Sequence, residues 1–301
     1  MSKIFVFSAF GGPEYQELVE REPPSPGEGE LLVEVRAAGV NPFDYKFRSG
    51  KYGTDRPLPV GIGSEAAGVV AAVGGGVEAF TIGDEVLAPV PLGNGGIAEH
   101  TIVRAAEAVA KPAELSFITA ATIPVAGTAA YDLTHAIELG PGQTMLLLGA
   151  GGGVGLMAAQ IGRVHNIGVI GVASEGKREL VESTGATFVV SGPGFDERVR
   201  ELAPEGFDLV VDLVGGDVLR AAVPLAKGPE RVISAADRTV LELGGSTRQH
   251  DPEALARITD LVADGLVDPH VTATFPLERA PEAMARVETG HATGKTVVTV
   301  A

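Results

Sequence analysis

The sequence contains no cysteine. That absence removes disulfides, thiolate nucleophiles and thiolate-bound zinc together. Cations are scarce relative to acids, with 23 Lys and Arg against 39 Asp and Glu, a net charge of −16. Affinity for nucleic acid depends on cationic side chains meeting phosphates, so this balance argues against a nucleic-acid partner and against an anionic membrane surface. It favours solubility and says little about fold. Long apolar runs are also missing: none reaches the roughly 18 residues that a membrane span needs. The opening stretch "MSKIFVFSAFGGPEY" lacks the longer apolar core and small-residue cleavage site of a signal peptide, and reads as a first strand and a turn. The expectation is a cytoplasmic protein with neither nucleic acid nor membrane as partner.

What is present is ordinary for a globular chain: 45% hydrophobic and 21% charged residues in 301, enough for two modest domains or one large one. The first 120 residues or so alternate in short apolar runs, "GELLVEVRAAG", "EAAGVVAAVG" and "GDEVLAPV", punctuated by Gly and Pro. They predict an irregular β domain. Near Ile123 the texture changes. "AGTAAYDLTHAIELG" has helical apolar spacing, with a stop at Gly140 and Pro141 beyond it. From "QTMLLLGA" onward, apolar strands alternate with amphipathic helices, which predicts a parallel sheet covered on both faces. The tail from "HVTATF" reads strand, helix, strand.

One stretch of this alternation carries chemistry. In "LLLGAGGGVGLMAAQIGR" an apolar strand ending at Leu148 meets Gly149, Gly151, Gly152, Gly153 and Gly155, and a helix pattern follows at once. Glycine has the most backbone freedom to lose, so such a cluster implies a tight turn or a close approach. Strand, glycine turn and helix together fit the dinucleotide fingerprint, in which helix N–H groups and a partial positive charge receive the pyrophosphate. The strict G-x-G-x-x-G window runs from Ala150 to Gly155, so its first position is not glycine. Gly151, Gly152, Gly153, Val154 and Gly155 are the candidate cofactor residues. A glycine-rich turn without a ligand is the plainer alternative.

The end of the next strand, "VIGVASEGKREL", bears on which dinucleotide binds. An NAD site usually carries an acid there for the ribose 2′-hydroxyl. The aligned position is Ala173, which does not repel a 2′-phosphate. Ser174, Lys177 and Arg178 are candidate donors to that phosphate, and NADPH is the expected cofactor. Two charge-assisted bonds of about 1.5 kcal/mol each would favour NADPH over NADH by roughly 100-fold. Glu175 is a competing group that takes the ribose role instead in an NAD-like site, and Lys177 with Arg178 also reads as a solvated helix start.

These segments together resemble the medium-chain dehydrogenase/reductase superfamily, in its zinc-free quinone oxidoreductase (zeta-crystallin-like) branch. The likeness runs over nearly the whole chain and rests on "AAGVNPFDYKFRSGKY", "PVGIGSEAAGVVAAVGGGVEAFTIGDEVLA", "AGTAAYDL", "GAGGGVGLMAAQIGR", "FDLVVDLVGG" and "HATGKTVV". It implies an α/β fold: a Rossmann doubly wound parallel sheet over residues 123–266, plus a GroES-like irregular β domain from residues 1–122 and 267–301. It also implies a nicotinamide in the cleft between the domains. Zinc relatives carry a Cys near Asn41, a Gly-His-Glu where this chain has Gly63, Ser64 and Glu65, and a four-Cys lobe. With none of those thiolates present, catalytic zinc is not expected, and hydride transfer to an already electron-poor carbon replaces alcohol oxidation as the expected chemistry.

The resemblance also nominates residues. Asn41 and Asp44 match the active-site segment, as groups that orient substrate and nicotinamide, although an Asn-Pro pair with Asp behind it is also an ordinary loop starter. Tyr52 matches a tyrosine used for protonation or substrate binding, and the alternative is an aromatic covering its loop. Thr128 resembles a residue near the nicotinamide ribose, a role compatible with capping the following helix. Asp212 and Gly215 end a parallel strand, where ligands bind. Lys295 resembles a basic residue near the cofactor phosphates, or is a solvated tail lysine. Lys46 stands where many quinone reductases carry an aromatic, and the segment around Asp237 is shorter than usual.

Three functions are open at this point. The first is NADPH-dependent, zinc-independent reduction of a quinone or an activated α,β-unsaturated carbonyl, with a small-molecule substrate. The second is an enoyl-thioester or polyketide-pathway reductase, to which a basic entrance of Lys46, Arg48, Lys51 and Arg56 is suited. The third is NADPH binding without turnover. Relatives often pair, so a homodimer is expected, with "HVTATF" as one possible contact.

Overall fold

The computed structural model describes residues 1–290 and 292–301; His291, the first residue of the "HATGKTVV" match, lies outside the described residues. The chain begins with β1 (Ser2–Phe7), β2 (Gln16–Arg21) and β3 (Glu30–Val40). Helix α1 (Pro42–Arg48) comes next, then β4 (Val60–Gly61), β5 (Glu65–Val73), β6 (Glu85–Pro89), β7 (His100–Arg104), β8 (Val109–Ala110) and α2 (Phe117–Ala120). Helix α3 (Thr128–His135) leads into an alternation: β9 (Thr144–Leu148), α4 (Gly153–Val164), β10 (Gly168–Ala173), α5 (Arg178–Ser183), β11 (Thr187–Val190) and α6 (Phe195–Leu202). It continues with β12 (Leu209–Asp212), α7 (Gly216–Ala222), β13 (Val232–Ser234), β14 (Ser246–Thr247) and α8 (Ala254–Ala263). The chain closes with β15 (Val271–Pro276), α9 (Ala280–Glu288) and β16 (Lys295–Thr299). Met1–Val125 with Val271–Ala301 form one unit, and Ala126–His270 the other.

The second unit is a six-stranded parallel sheet in the order β11-β10-β9-β12-β13-β14. Numbered within the unit, that order is 3-2-1-4-5-6, the doubly wound arrangement of dinucleotide-binding folds. Its central strand β9 is buried from Met145 to Leu148, as a strand covered on both faces must be. Burying each such leucine contributes about 2 kcal/mol.

The first unit holds a mixed sheet, β15-β16-β3-β5-β6-β8, with β7 also paired to β3, and a smaller sheet β2-β1-β4. Strand β16 pairs antiparallel with β3, Thr296 opposite Val40 through Thr299 opposite Ala37, which brings the last strand beside the first sixty residues. Phe5, Phe7, Val35, Phe47, Ile97 and Met284 belong to its core.

One helix is shorter than its apolar spacing predicts. The pattern runs to Gly140, yet α3 ends at His135. Thr134 Oγ1 donates to the carbonyl of Ala130 at 2.8 Å, and His135 Nδ1 lies 2.9 Å from the carbonyl of Tyr131. Side chains bonding back to the last-turn carbonyls offer that backbone an alternative to another helical turn.

Candidate functional site

In the Ala126–His270 unit the glycine corner closes between β9 and α4. Gly149 has φ +85°, a left-handed conformation that favours glycine. Its N–H and that of Ala150 both donate to the Val172 carbonyl, fixing the turn against β10. A Cβ on Gly155 would lie 2.5 Å from the Gly149 carbonyl oxygen, so glycine there lets the helix sit directly on the corner. Gly152 is the N-cap of α4 and no side chain caps it. Gly153, Val154 and Gly155 form its first turn, whose N–H groups lack intrahelical partners by construction. A Cβ on Gly151 would collide with the side chain of Lys177, which runs along that glycine. Burial lowers the Lys177 pKa from its ordinary value.

At the end of β10, Ser174 is exposed and stands at the N-cap position of the turn Glu175–Lys177, without a side-chain capping bond. Arg178, expected beside Lys177 as a phosphate donor, is bonded to carboxylates instead. Its Nε reaches Glu175 Oε1 at 2.6 Å and its Nη2 reaches Oε2 at 3.0 Å.

Asp212 ends β12 fully buried. Its Oδ1 accepts from the N–H groups of Val214 and Gly215, both at 2.9 Å, and its Oδ2 accepts from the Ser234 hydroxyl at 2.6 Å. Gly215 has φ +83°, and a Cβ there would lie 2.9 Å from that of Asp237. Asp237 in turn accepts from Gly216 N–H at 2.9 Å. These carboxylates shape the loops at the carboxyl edge of the parallel sheet.

Thr128 opens α3, and its hydroxyl accepts from Arg248 Nη2 at 3.2 Å. Arg248 Nε also donates to the buried carboxylate of Asp132 at 2.7 Å. Arg248 follows β14 at the same carboxyl edge, and the sequence reading missed it. The available signal was Asp132, the one acid in α3, placed on its buried side.

The first unit gathers Asn41, Asp44, Ser64, Glu65 and Lys295, from α1 and its cap, β5 and β16. Asn41 caps α1 and Asp44 returns the bond: Asp44 Oδ2 accepts from Asn41 N–H at 2.7 Å, a reciprocal capping box. The Asn41 amide donates to Glu65 Oε1 at 2.8 Å and to Ser64 Oγ at 3.3 Å. Lys295 Nζ donates to Asn41 Oδ1 at 2.6 Å and to Glu65 Oε1 at 2.8 Å. Glu65 Oε2 accepts from Val125 N–H at 2.7 Å. Gly39 on β3 leaves room for this carboxylate, because a Cβ there would overlap Glu65 Oε1. Burial raises the Asp44 pKa to about 7, with the Asn41 N–H, the Ser64 hydroxyl and Lys295 opposing and Glu65 adding to the rise.

Tyr52 lies just beyond α1, half exposed, stacked on Phe43 with ring centroids 4.9 Å apart and planes 23° apart. Burial, and then Tyr45, raises its pKa above the ordinary phenol value, so the hydroxyl keeps its proton at neutral pH. Lys46 is half-buried, and burial, with Lys51 behind it, lowers its pKa. The basic entrance expected around it is smaller than the sequence predicts. Arg48 is 1% exposed, ion-paired to Glu288 at 2.6 Å and bonded to the Gly11 carbonyl at 3.1 Å. Lys51 and Arg56 are exposed.

A doubly wound dinucleotide-type sheet, together with an irregular β unit that carries a buried polar cluster, defines the class: a two-unit dehydrogenase or reductase. Residues 27–113 match the alcohol dehydrogenase GroES-like domain, and residues 184–298 the zinc-binding dehydrogenase family. The NADPH-dependent alkenal/one oxidoreductase of Arabidopsis thaliana chloroplasts is 33% identical over 310 residues, covering 98% of this chain and 79% of that protein. The quinone oxidoreductase of Coxiella burnetii superposes with a TM-score of 0.89 at 28% identity, over 100% and 99% of the two chains. That of Escherichia coli, solved with NADPH, gives 0.86 at 27%, over 99% of each. The chain belongs to the medium-chain dehydrogenase/reductase superfamily, in its quinone oxidoreductase branch.

Its residues do not fit the zinc that one of those family names implies. Near the place where the zinc relatives carry Cys this chain has Asn41, and in place of their His it has Ser64, a neutral amide and hydroxyl bonded to each other. The positive charge beside Glu65 is already Lys295. Among the described residues no cluster of three or more His, Asp or Glu is arranged to hold a metal.

Proposed function

We propose that the protein is an NADPH-dependent oxidoreductase that reduces a quinone or an activated α,β-unsaturated carbonyl without zinc. The observation that carries this reading is the glycine corner, an uncapped helix N-terminus with Lys177 laid along Gly151. The residues present fit the cofactor: Gly151, Gly152, Gly153, Val154 and Gly155 receive a pyrophosphate, and Ser174 and Lys177 a 2′-phosphate. When bound, the reduced nicotinamide supplies a hydride to an electron-poor carbon.

The chain's own groups divide the remaining work. The Ala126–His270 unit is the dinucleotide-binding part, and the unit built from both chain ends is the catalytic part. Asp212, Gly215 and Thr128 shape the carboxyl edge against the cofactor. Tyr52 donates a proton to the oxygen that gains charge in an enone or quinone. Asn41, Asp44 and Lys295 hold the segment that carries Tyr52. With Arg178 engaged by Glu175, Lys177 is the cation assigned to the 2′-phosphate, and a single charge-assisted bond favours NADPH by about tenfold. The names of the Arabidopsis and E. coli relatives support this chemistry.

Oxidation of NADPH against a panel of quinones, enones and acyl-thioesters tests the proposal. Turnover of quinones or enones is the expected result. Turnover of acyl-thioesters alone moves the assignment to an enoyl-thioester reductase, and tight NADPH binding with no turnover moves it to a binding protein. We further propose a cytoplasmic homodimer. The support is that β15 is the outermost strand of its sheet, and that no helix among the described residues is long and apolar enough to cross a membrane. Light scattering tests the pairing.

A further inference from the structure

Beyond β10, three charged side chains follow within four residues, and they are put to different uses. Lys177 runs along the glycine corner. Glu175 and Arg178 close on each other through two parallel bonds, 2.6 and 3.0 Å, using both carboxylate oxygens. This fork is held from other sides as well. The Arg178 guanidinium stands 4.3 Å over the ring of Phe188 on β11, and its Nη1 reaches Glu182 at 3.4 Å. Glu175 is the first acid beyond the strand, two residues past Ala173. An acid at this end of the second parallel strand ordinarily serves a ribose 2′-hydroxyl, and its charge opposes a 2′-phosphate.

We infer that Arg178 sets the preference for NADPH over NADH by neutralising Glu175 rather than by touching the phosphate. The inference rests on the dinucleotide reading above. Arg178 is then a specificity-determining residue that acts through another side chain, and Lys177 is the direct donor. Planar, bidentate pairing is what an arginine supplies and a lysine does not. A bare carboxylate at position 175 would meet the second negative group of NADPH, but would accept a hydrogen bond from the ribose of NADH. The fork therefore converts an NAD-type feature of the sequence into a neutral one.

The test is fluorescence titration of the full chain with NADPH and with NADH, for the wild type, Arg178→Ala, Glu175→Gln and the double variant. Removing Arg178 alone is expected to lower the NADPH-to-NADH affinity ratio by about tenfold. Glu175→Gln is expected to leave the ratio within about twofold, and the double variant to return to within about threefold of wild type. A double variant that stays as low as Arg178→Ala would mean that Arg178 touches the phosphate itself, and overturns the inference. So does an Arg178→Ala variant with an unchanged ratio. Wild-type protein that binds neither coenzyme overturns the dinucleotide reading, and this inference with it. Wild-type binding with ratios insensitive to both residues overturns this inference alone.

Discussion

The ammonium of Lys295 bridges Glu65 Oε1 at 2.8 Å and Asn41 Oδ1 at 2.6 Å, with 230 and 254 positions separating the partners in sequence. Lys295 and Glu65 are both buried, so neither charge has water as a fallback. Removing one partner strands the other, which typically costs about 3–5 kcal/mol. Lys295→Met is therefore expected to lower stability by that amount in chemical denaturation. Adding Glu65→Gln should recover much of the loss, because the stranded carboxylate is gone. A single variant as stable as wild type would contradict the ion pair.

Asp44 gives the same cluster a pH dependence. Its folded-state pKa is about 7, raised chiefly by burial, against an ordinary value of 3.8. Between those two values the folded chain holds a proton that the unfolded chain has lost. Stability from this group is therefore greatest at low pH, declines as pH rises from about 4 to about 7, and is level above that. Asp44→Asn keeps a side-chain acceptor for the Asn41 N–H but cannot titrate. It is expected to flatten the slope of stability in that window by up to a few kcal/mol, about 1.4 per unit of pKa difference. Denaturation midpoints of wild type and variant at four or five pH values measure it; parallel curves would refute the assignment to Asp44.

The parallel sheet was legible because its strands are buried on both faces and its helices on one. Strand β10, Gly168–Ala173, is the apolar run "GVIGVA" with nothing added or lost. The glycine corner was legible because so many glycines in seven positions have few other uses. Partnerships across the chain were not. Arg48 reads as a surface cation until Glu288 is brought to it, and Lys295 as a tail residue until β16 pairs with β3. Glu65 left a trace, a lone acid opening the apolar run "EAAGVVAAV". Asp132 left a similar one, but neither trace names its cation. Local pattern encodes elements, whereas ion pairs depend on topology that single-segment patterns do not carry.

The glycines of the corner separate two kinds of constraint. In Gly155→Ala the new Cβ meets backbone, the Gly149 carbonyl oxygen at 2.5 Å and Ala150 Cα at 2.7 Å. Backbone yields only by moving β9 or α4, so a stability loss of about 1–3 kcal/mol is expected. In Gly151→Ala the obstacle is Lys177: its Cδ and Cγ can swing away, but its Cβ, 2.8 Å from the new methyl, yields only if the exposed turn Glu175–Lys177 shifts. A stability loss smaller than that of Gly155→Ala is then expected, while NADPH affinity falls more than NADH affinity. Calorimetry and coenzyme titration of the two variants distinguish these outcomes, and equal stability losses would show that Lys177 is not the yielding group.

Tyr52 separates fold from chemistry most cleanly. Its ring stacks on Phe43, and phenylalanine preserves that contact while deleting only the hydroxyl. The phenol is protonated at neutral pH and half exposed, which suits a donor and offers no stability reason for its oxygen. Tyr52→Phe is therefore expected to leave the melting temperature unchanged and to lower kcat on an enone by roughly 100-fold, the lower end of what a positioned proton donor contributes. NADPH affinity should not move. Solvent deuterium sharpens the test: the wild-type rate should fall in deuterium oxide if proton transfer from the phenol is part of the slow step. An unchanged kcat in the variant would pass the proton to solvent and leave Tyr52 as a cover for its loop.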